Sequence, residues 1–140
     1  MKRLTTSLKK FCEKEGLLRV AWIDSEGYPR VAPVWFVVMG GRYYFATGAS
    51  SAKWKAMQRN PRVGWVIDGG KGRKYKGASM CGRAEEVSDS RLRRRIYRAL
   101  GLKYFGSVTD SKFVEIYGGV DDPDTAYIRL TPIDGVCWEY

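Results

Sequence analysis

YYFATGASSAKWKAMQRNPRV, residues 43–63, is the stretch from which the rest of the chain is read. Residues 43–47 read as a strand, Gly48-Ala49-Ser50-Ser51 is a small-residue turn, and Asn60-Pro61 is a hard stop. Between turn and stop lies a short basic helix running to about Arg59, with Ser50 or Ser51 as N-cap and Trp54 and Met57 on its inner side. A strand entering a helix through Gly and Ser exposes N–H groups where the macrodipole favours an anion, and Lys53 adds a full charge there. Thr47 brings a hydroxyl into the same turn, so a phosphomonoester would meet a hydroxyl, helix-end amides and an ammonium. A plain capped helix with solvated lysines would use the same residues. The turn has neither the Walker A nor the dinucleotide glycine spacing.

Upstream, residues 17–24, 29–39 and 42–47 read as strands joined by a Ser-Glu-Gly-Tyr turn at 25–28 and by Gly40-Gly41, an antiparallel meander. An amphipathic helix over 5–15 precedes them, capped by Thr5, Thr6 or Ser7 and ended by Gly16 in a left-handed conformation. Downstream, 62–68 is a strand, 68–74 an exposed basic loop, and 75–87 a long strand whose Gly77 and Gly82 mark bulges or close approach. A helix opens at Ser88 or Ser90 and runs through Leu100, with Leu92, Ile96 and Leu100 as its apolar stripe. Arg91, Arg93, Arg94, Arg95 and Arg98 lie opposite, as a solvated face or a nucleic-acid face. A short helix after Asp110 turns Phe113 and Ile116 inward and stops at Gly118-Gly119. Residues 125–130 and 136–140 form a final hairpin. Strands of alternating pattern with inserted helices indicate a mainly β, α+β domain built on an antiparallel barrel, one domain over 1–140.

Composition narrows the chemistry. There is no histidine, which removes Ser-His and Cys-His pairs, His-ligated zinc and a proximal haem histidine. The three cysteines, Cys12, Cys81 and Cys137, have no Cys-x-x-Cys spacing, against a zinc site or a disulfide framework and in favour of a reducing, cytoplasmic setting. No apolar run is long enough for a membrane span. A net charge of +10 suits a nucleic acid, an anionic cofactor or an acidic partner, or serves solubility alone. Side-chain amides are confined to Gln58 and Asn60 while Lys, Arg and Glu abound, a bias of heat-adapted proteins.

VAPVWFVV, residues 31–38, is apolar on both faces, as a barrel wall that also meets another subunit would be. Pro33 cannot donate to a ladder, so its strand is expected to be irregular or at an edge, with backbone groups free for a ligand.

The ordered set P-R-V-A-P-V-W-F, the GG turn, Y-F-A-T-G-x-x-S-x-K, R-N-P-R-V and Y-K-G-x-x-x-x-G-R-A-E resembles the split-barrel flavin-binding family typified by pyridoxamine 5′-phosphate oxidase. The resemblance spans about 17–87, and more loosely I-R-L-T-P and Trp138. It implies a six-stranded antiparallel split barrel with short flanking helices, a homodimer, and FMN in grooves at the subunit interface. Carried over by position, the flavin ring and ribityl chain would fall on Arg30, Val31, Ala32, Pro33, Val34 and Trp35, and the phosphate on Thr47, Ser50, Ser51 and Lys53. A further basic contact falls on Lys76, beside Gly77. Trp35 and Trp138 would stack on the ring or serve as interface packing. The chain departs from the family at Ala52, where many members carry the Arg of Ser-Arg-Lys, and at Gly77, aligned with a glutamine of the oxidases. Their pyridoxal-binding C-terminal region has no recognisable counterpart.

The function implied is an FMN-dependent oxidoreductase with an unassigned small-molecule substrate or reductant, the cofactor carrying the redox chemistry. No residue is marked as an obligatory general base: Glu85 and Glu86 read as surface charges, Tyr75 and Tyr104 as packing. A deazaflavin-dependent reductase of the same fold is the alternative, its acidic oligoglutamyl tail suiting a basic surface. Ranked below stand a flavin-holding protein without turnover and a basic barrel binding nucleic acid through the 68–76 segment. The haem-degrading branch of the fold uses a histidine that this chain lacks.

Overall fold

The computed structural model describes residues 5–140; residues 1–4 of the expected domain lie outside the described residues. Helix α1, Thr6–Lys14, is capped by Thr5, whose Oγ1 accepts from the Leu8 amide at 3.2 Å, and it buries Leu8 and Cys12. It ends through Glu15 in an extended conformation, so Gly16 is not the expected left-handed cap. Strands β1, Leu18–Ile23, and β2, Pro29–Val34, form a hairpin. The Asp24 carboxylate ties its turn, accepting from the Glu26 and Tyr28 amides and from Arg30 Nε, each at 2.9 Å. Arg30 holds that carboxyl below its ordinary range.

The expected long strand over 29–39 is two strands. After Trp35-Phe36 the chain resumes as β3, Val37–Met39, which turns through Gly40 and Gly41, both at positive φ, into β4, Arg42–Gly48. Helix α2 is Ala52–Arg59, β5 Arg62–Lys71 and β6 Lys74–Glu86. The basic segment read as a loop is strand almost throughout: β5 and β6 pair as far as Lys71 opposite Lys74, leaving a two-residue turn. Helix α3, Ser90–Phe105, runs past the expected end at Leu100 to Gly106, which takes the left-handed conformation. Gly101 is no stop; it is a packing point, since a Cβ there would sit 3.0 Å from the Phe113 ring. In α4, Ser111–Tyr117, Phe113 and Tyr117 face inward, one turn apart, while Ile116 is 55% exposed, contrary to the expected inward face.

The final hairpin is a single strand, β7, Thr125–Glu139, paired along β6 with a register shift at Cys81/Gly82. The Ile133-Asp134-Gly135 run that looks like a turn stays in the ladder because Gly135 lets the backbone approach Ser79: a Cβ there would meet its carbonyl oxygen at 2.6 Å.

The antiparallel sheet has the order β2-β1-β5-β6-β7-β4-β3. Its edges, β2 and β3, are separated in sequence by Trp35 and Phe36 alone, so three Cα steps, about 10 Å at most, bridge the two edges. The sheet therefore curls until its edges nearly meet without closing, a split barrel of seven strands where six were expected, the extra one arising from that break. Pro33 stands on the edge strand β2, as its missing N–H requires. Leu18, Val20, Phe36, Phe45, Met57, Trp65, Ile128 and Leu130 fill the interior. A second core, with Val37, Tyr44, Ile96, Leu100, Phe113 and Tyr127, joins α3 and α4 to the sheet's outer surface.

Outside, the sheet is covered on one half only. Register puts Val31, Ala21, Gly64 and Cys81 in one outward row, with Pro33, Arg19, Val66, Ser79 and Val136 in the next. Val31 is 68% and Val136 63% exposed, so in the single chain the 31–38 segment is not buried on both faces.

Candidate functional site

At the end of β4 the chain turns through Ala49 and Ser50 into α2, and Ser51 is the cap: its Oγ accepts from the Trp54 amide at 3.2 Å and lies 3.5 Å from Thr47 Oγ1. Ser50 is exposed in the turn. Two turn amides are spent inside the protein, Ala49 N–H on Asp124 O at 2.8 Å and Ser51 N–H on Gly48 O at 3.0 Å. The first-turn amides of Ala52 and Lys53 have no intrahelical acceptor by construction of a helix. Lys53 is half-buried, burial lowers its pKa, and its Nζ stands 6.0 Å from the Trp22 ring centre and 5.9 Å from that of Phe45. Among the described residues no carboxylate pairs with it within ion-pair distance. Desolvation of an ammonium without a paired anion raises the free energy of its charged form.

Lys53 and Thr47 open onto a cavity of about 460 Å³, a size suited to a small-molecule ligand. Pro33, Val34 and Trp35 line it as well. The facing wall comes from the end of α4 and the connection to β7: Glu115, Ile116, Tyr117, Asp122 and Asp124. That connection is fixed to the turn by the Ala49–Asp124 bond, and Asp122 Oδ1 accepts from the Asp124 amide at 2.8 Å. Burial raises the Tyr117 hydroxyl's pKa strongly, so it stays protonated as a donor.

Trp35 stacks on Tyr104 with centroids 5.2 Å apart and planes at 21°, and contacts Phe105 and Tyr117 edgewise or tilted. One face of its indole is thus already taken.

The expected residues fall in three places. Pro33, Val34, Trp35, Thr47 and Lys53 meet at the cavity, with Ser51 joined through Thr47. Arg30, Val31 and Ala32 lie farther along β2, with Arg30 held by Asp24 and Val31 on the bare outer face. Lys76, Gly77 and Trp138 are at the far end of the β6–β7 ladder. Trp138 and Ala126, the partner of Thr47, lie on one strand and are separated by roughly 40 Å of extended chain. Lys76 Nζ is 4.6 Å from the Phe11 ring centre, and Trp138 stacks on Tyr75 at 6.0 Å. Tyr75 donates to Asp68, which also binds Arg19 at 2.7 Å. The facing wall of the cavity was not read from the sequence. Its placement comes from the β4–β7 pairing, which sets Thr125 opposite Gly48 and which no pattern within either segment signals. No described helix is long and apolar enough to cross a membrane.

A family model described as pyridoxamine 5′-phosphate oxidase matches residues 4–138. No curated protein matches the chain in sequence. Among solved structures, a conserved hypothetical protein of Mycobacterium tuberculosis superposes with a TM-score of 0.80 at 20% identity, covering 99% of this chain and 88% of the other. An FAD-binding protein of Mesorhizobium loti gives 0.74 at 23%, covering 98% and 96%. An F420 reductase gives 0.70 at 19%, covering 94% and 98%. At these identities the likeness is one of fold.

Proposed function

The chain belongs to the pyridoxamine 5′-phosphate oxidase family, and on that premise we propose that it is a dimeric FMN-binding oxidoreductase whose cofactor phosphate docks at Lys53. The observation that carries this reading is the half-buried Lys53 ammonium, without a paired carboxylate among the described residues, at the mouth of a cavity of about 460 Å³. An anion there offsets a desolvation cost that the fold leaves in place. The residues suit FMN: Thr47, Ser51, Lys53 and the first-turn amides of α2 would hold the phosphate, and Pro33, Val34 and Trp35 would hold the ring system. When bound, the flavin supplies hydride or electron transfer. The chain's part is to position it, exclude water from one side through Trp35 and Tyr117, and offer the Tyr117 hydroxyl as a donor.

The bare outer face supports a second subunit. Val31, Ala21, Val66 and Val136 lie side by side there, with Trp138 at the same surface, so two copies packed through it would bury apolar area and bring the Trp138 end of one chain toward the cavity of the other. That would reunite the separated parts of the expected set.

The F420 reductase among the neighbours keeps a deazaflavin reading as the alternative. Glu115, Asp122 and Asp124 along the cavity wall oppose a tail of several carboxylates more strongly than a single phosphate held at Lys53, which supports FMN over the deazaflavin. Oxidoreductase turnover, a cytoplasmic setting and the single-domain organisation belong to the same proposal.

Incubation with FMN followed by desalting tests it: flavin absorbance near one per chain, in a particle of two chains by light scattering, is expected. Loss of all flavin on desalting overturns the cofactor assignment, and retention of F420 instead would transfer it to the deazaflavin.

A further inference from the structure

Phe36 lies between β2 and β3, where the strand leaves one sheet edge and joins the other, so its backbone groups belong to neither ladder. It is fully buried, and unpaired backbone groups there would be costly. Both are satisfied by consecutive residues of α3. The Phe36 amide donates to Tyr104 Oη at 2.9 Å, and Lys103 Nζ donates to Phe36 O at 3.0 Å. Lys103 also lies 3.7 Å from the centre of the Phe36 ring. The Tyr104 hydroxyl proton has two acceptors at 3.1 Å, Phe36 O and Gly16 O, so one oxygen ties together the entry to β1, the strand break and the end of α3.

Side-chain alternation continues through the break. Val34, Phe36 and Val38 join the interior core, while Trp35, Val37 and Met39 join the helix-side core. What changes at Phe36 is the hydrogen-bonding partner alone, and α3 supplies it. The same Tyr104 whose hydroxyl holds Phe36 carries Trp35 on its ring face, and Trp35 lines the cavity.

We propose that Tyr104 and Lys103 are positioning residues for the cofactor groove: they replace the missing ladder bonds at Phe36 and thereby fix Pro33, Val34 and Trp35 against the cavity. The inference rests on the flavin reading of that cavity, while its structural half is testable on the free protein. Tyr104→Phe keeps the ring stack and removes the hydroxyl, and Lys103→Met keeps the stem and removes the donor.

For the free protein, Tyr104→Phe, which removes the acceptor of the Phe36 amide, is expected to exchange that amide roughly tenfold faster than wild type, the scale of one lost hydrogen bond. Both variants are expected to alter the near-ultraviolet circular dichroism of the Trp35–Tyr104 pair. With FMN, each should weaken affinity at least roughly fivefold and change the bound flavin's visible dichroism, while both remain folded. A purely structural strut would lower the melting temperature and leave affinity and flavin dichroism at wild-type values; that result overturns the proposal. Should wild type bind no FMN, the cofactor assignment fails by itself, and unchanged amide exchange in Tyr104→Phe together with unchanged near-ultraviolet dichroism in both variants overturns the positioning role separately.

Discussion

Gly77 and Trp138 are partners across the β6–β7 ladder, and a Cβ on Gly77 would lie 2.8 Å from Trp138 Cζ2 and 2.6 Å from the carbonyl oxygen of Ile67. The position aligned with a glutamine in the oxidases is thus closed to any side chain, because the indole and the β5 backbone occupy the space. Since one obstacle is backbone, Gly77→Ala is expected to destabilise by about 1–3 kcal/mol, the usual cost of overpacking. Urea unfolding measures this, and a loss under about 0.5 kcal/mol, the range of neutral surface changes, would show that the ladder gives way freely.

Lys53→Met separates binding from folding. Burial already disfavours the charged amine, so its removal relieves a desolvation cost, and the melting temperature is expected to hold or rise. FMN affinity should fall roughly 10- to 100-fold, equivalent to about 1.4–2.7 kcal/mol for a lost charge-assisted hydrogen bond. Isothermal titration at two salt concentrations checks it, with a shallower salt dependence in the variant. Equal affinity in wild type and variant would remove Lys53 from the phosphate site.

For the interface, Val31→Glu and Val136→Glu are informative because both positions are exposed in the single chain and should be nearly neutral in a monomer. Across a dimer face each would bury an unpaired carboxylate, and sedimentation should show chains separating at micromolar concentration. Cys81, exposed in the same face, gives a second reading: its thiol should react slowly with a disulfide reagent in wild type and quickly in Val31→Glu. Cys12 should stay slow in both, because burial raises its pKa to about 11 and leaves little thiolate. Equal Cys81 rates in wild type and variant would argue for a bare face in solution.

Local chemistry made much of this legible. Ser51, Trp54 and Met57 stand as α2 needs them, and the glycines at 40, 41, 77 and 82 lie where a turn or a close backbone approach occurs. The sequence was misleading where two signals describe the same pattern. Alternation is identical on both sides of Phe36, so nothing in 29–39 shows that its pairing partner changes. Likewise Ile133-Asp134-Gly135 has turn composition yet stays within β7, with Asp134 and Gly135 paired to Cys81 and Met80 and Ile133 taking up the register shift. The acidic wall of the cavity and the Tyr104 tie are products of tertiary contact between segments more than sixty residues apart, which no local period encodes.

Lys103 provides a pH signature for the α3 tie. Burial lowers its pKa from the ordinary 10.5 to about 8, opposed in part by Glu15 and Glu13 of α1. A lysine depressed in the folded state binds its proton more weakly there than in the unfolded chain. Below pH 8 both states are charged and the folded one carries the full desolvation cost. As pH rises from about 8 toward 10.5 the folded amine releases its proton first and the cost is progressively relieved. The wild-type melting temperature should therefore rise relative to that of Lys103→Met across this window, and the difference should be flat between pH 6 and 7.5. Tyr104, raised to about 12 by burial, remains protonated throughout and adds no competing step. Differential scanning calorimetry of the two proteins at half-unit pH intervals decides the matter, and a difference that stays constant from pH 7 to 10 would show that Lys103 is not desolvated against Phe36.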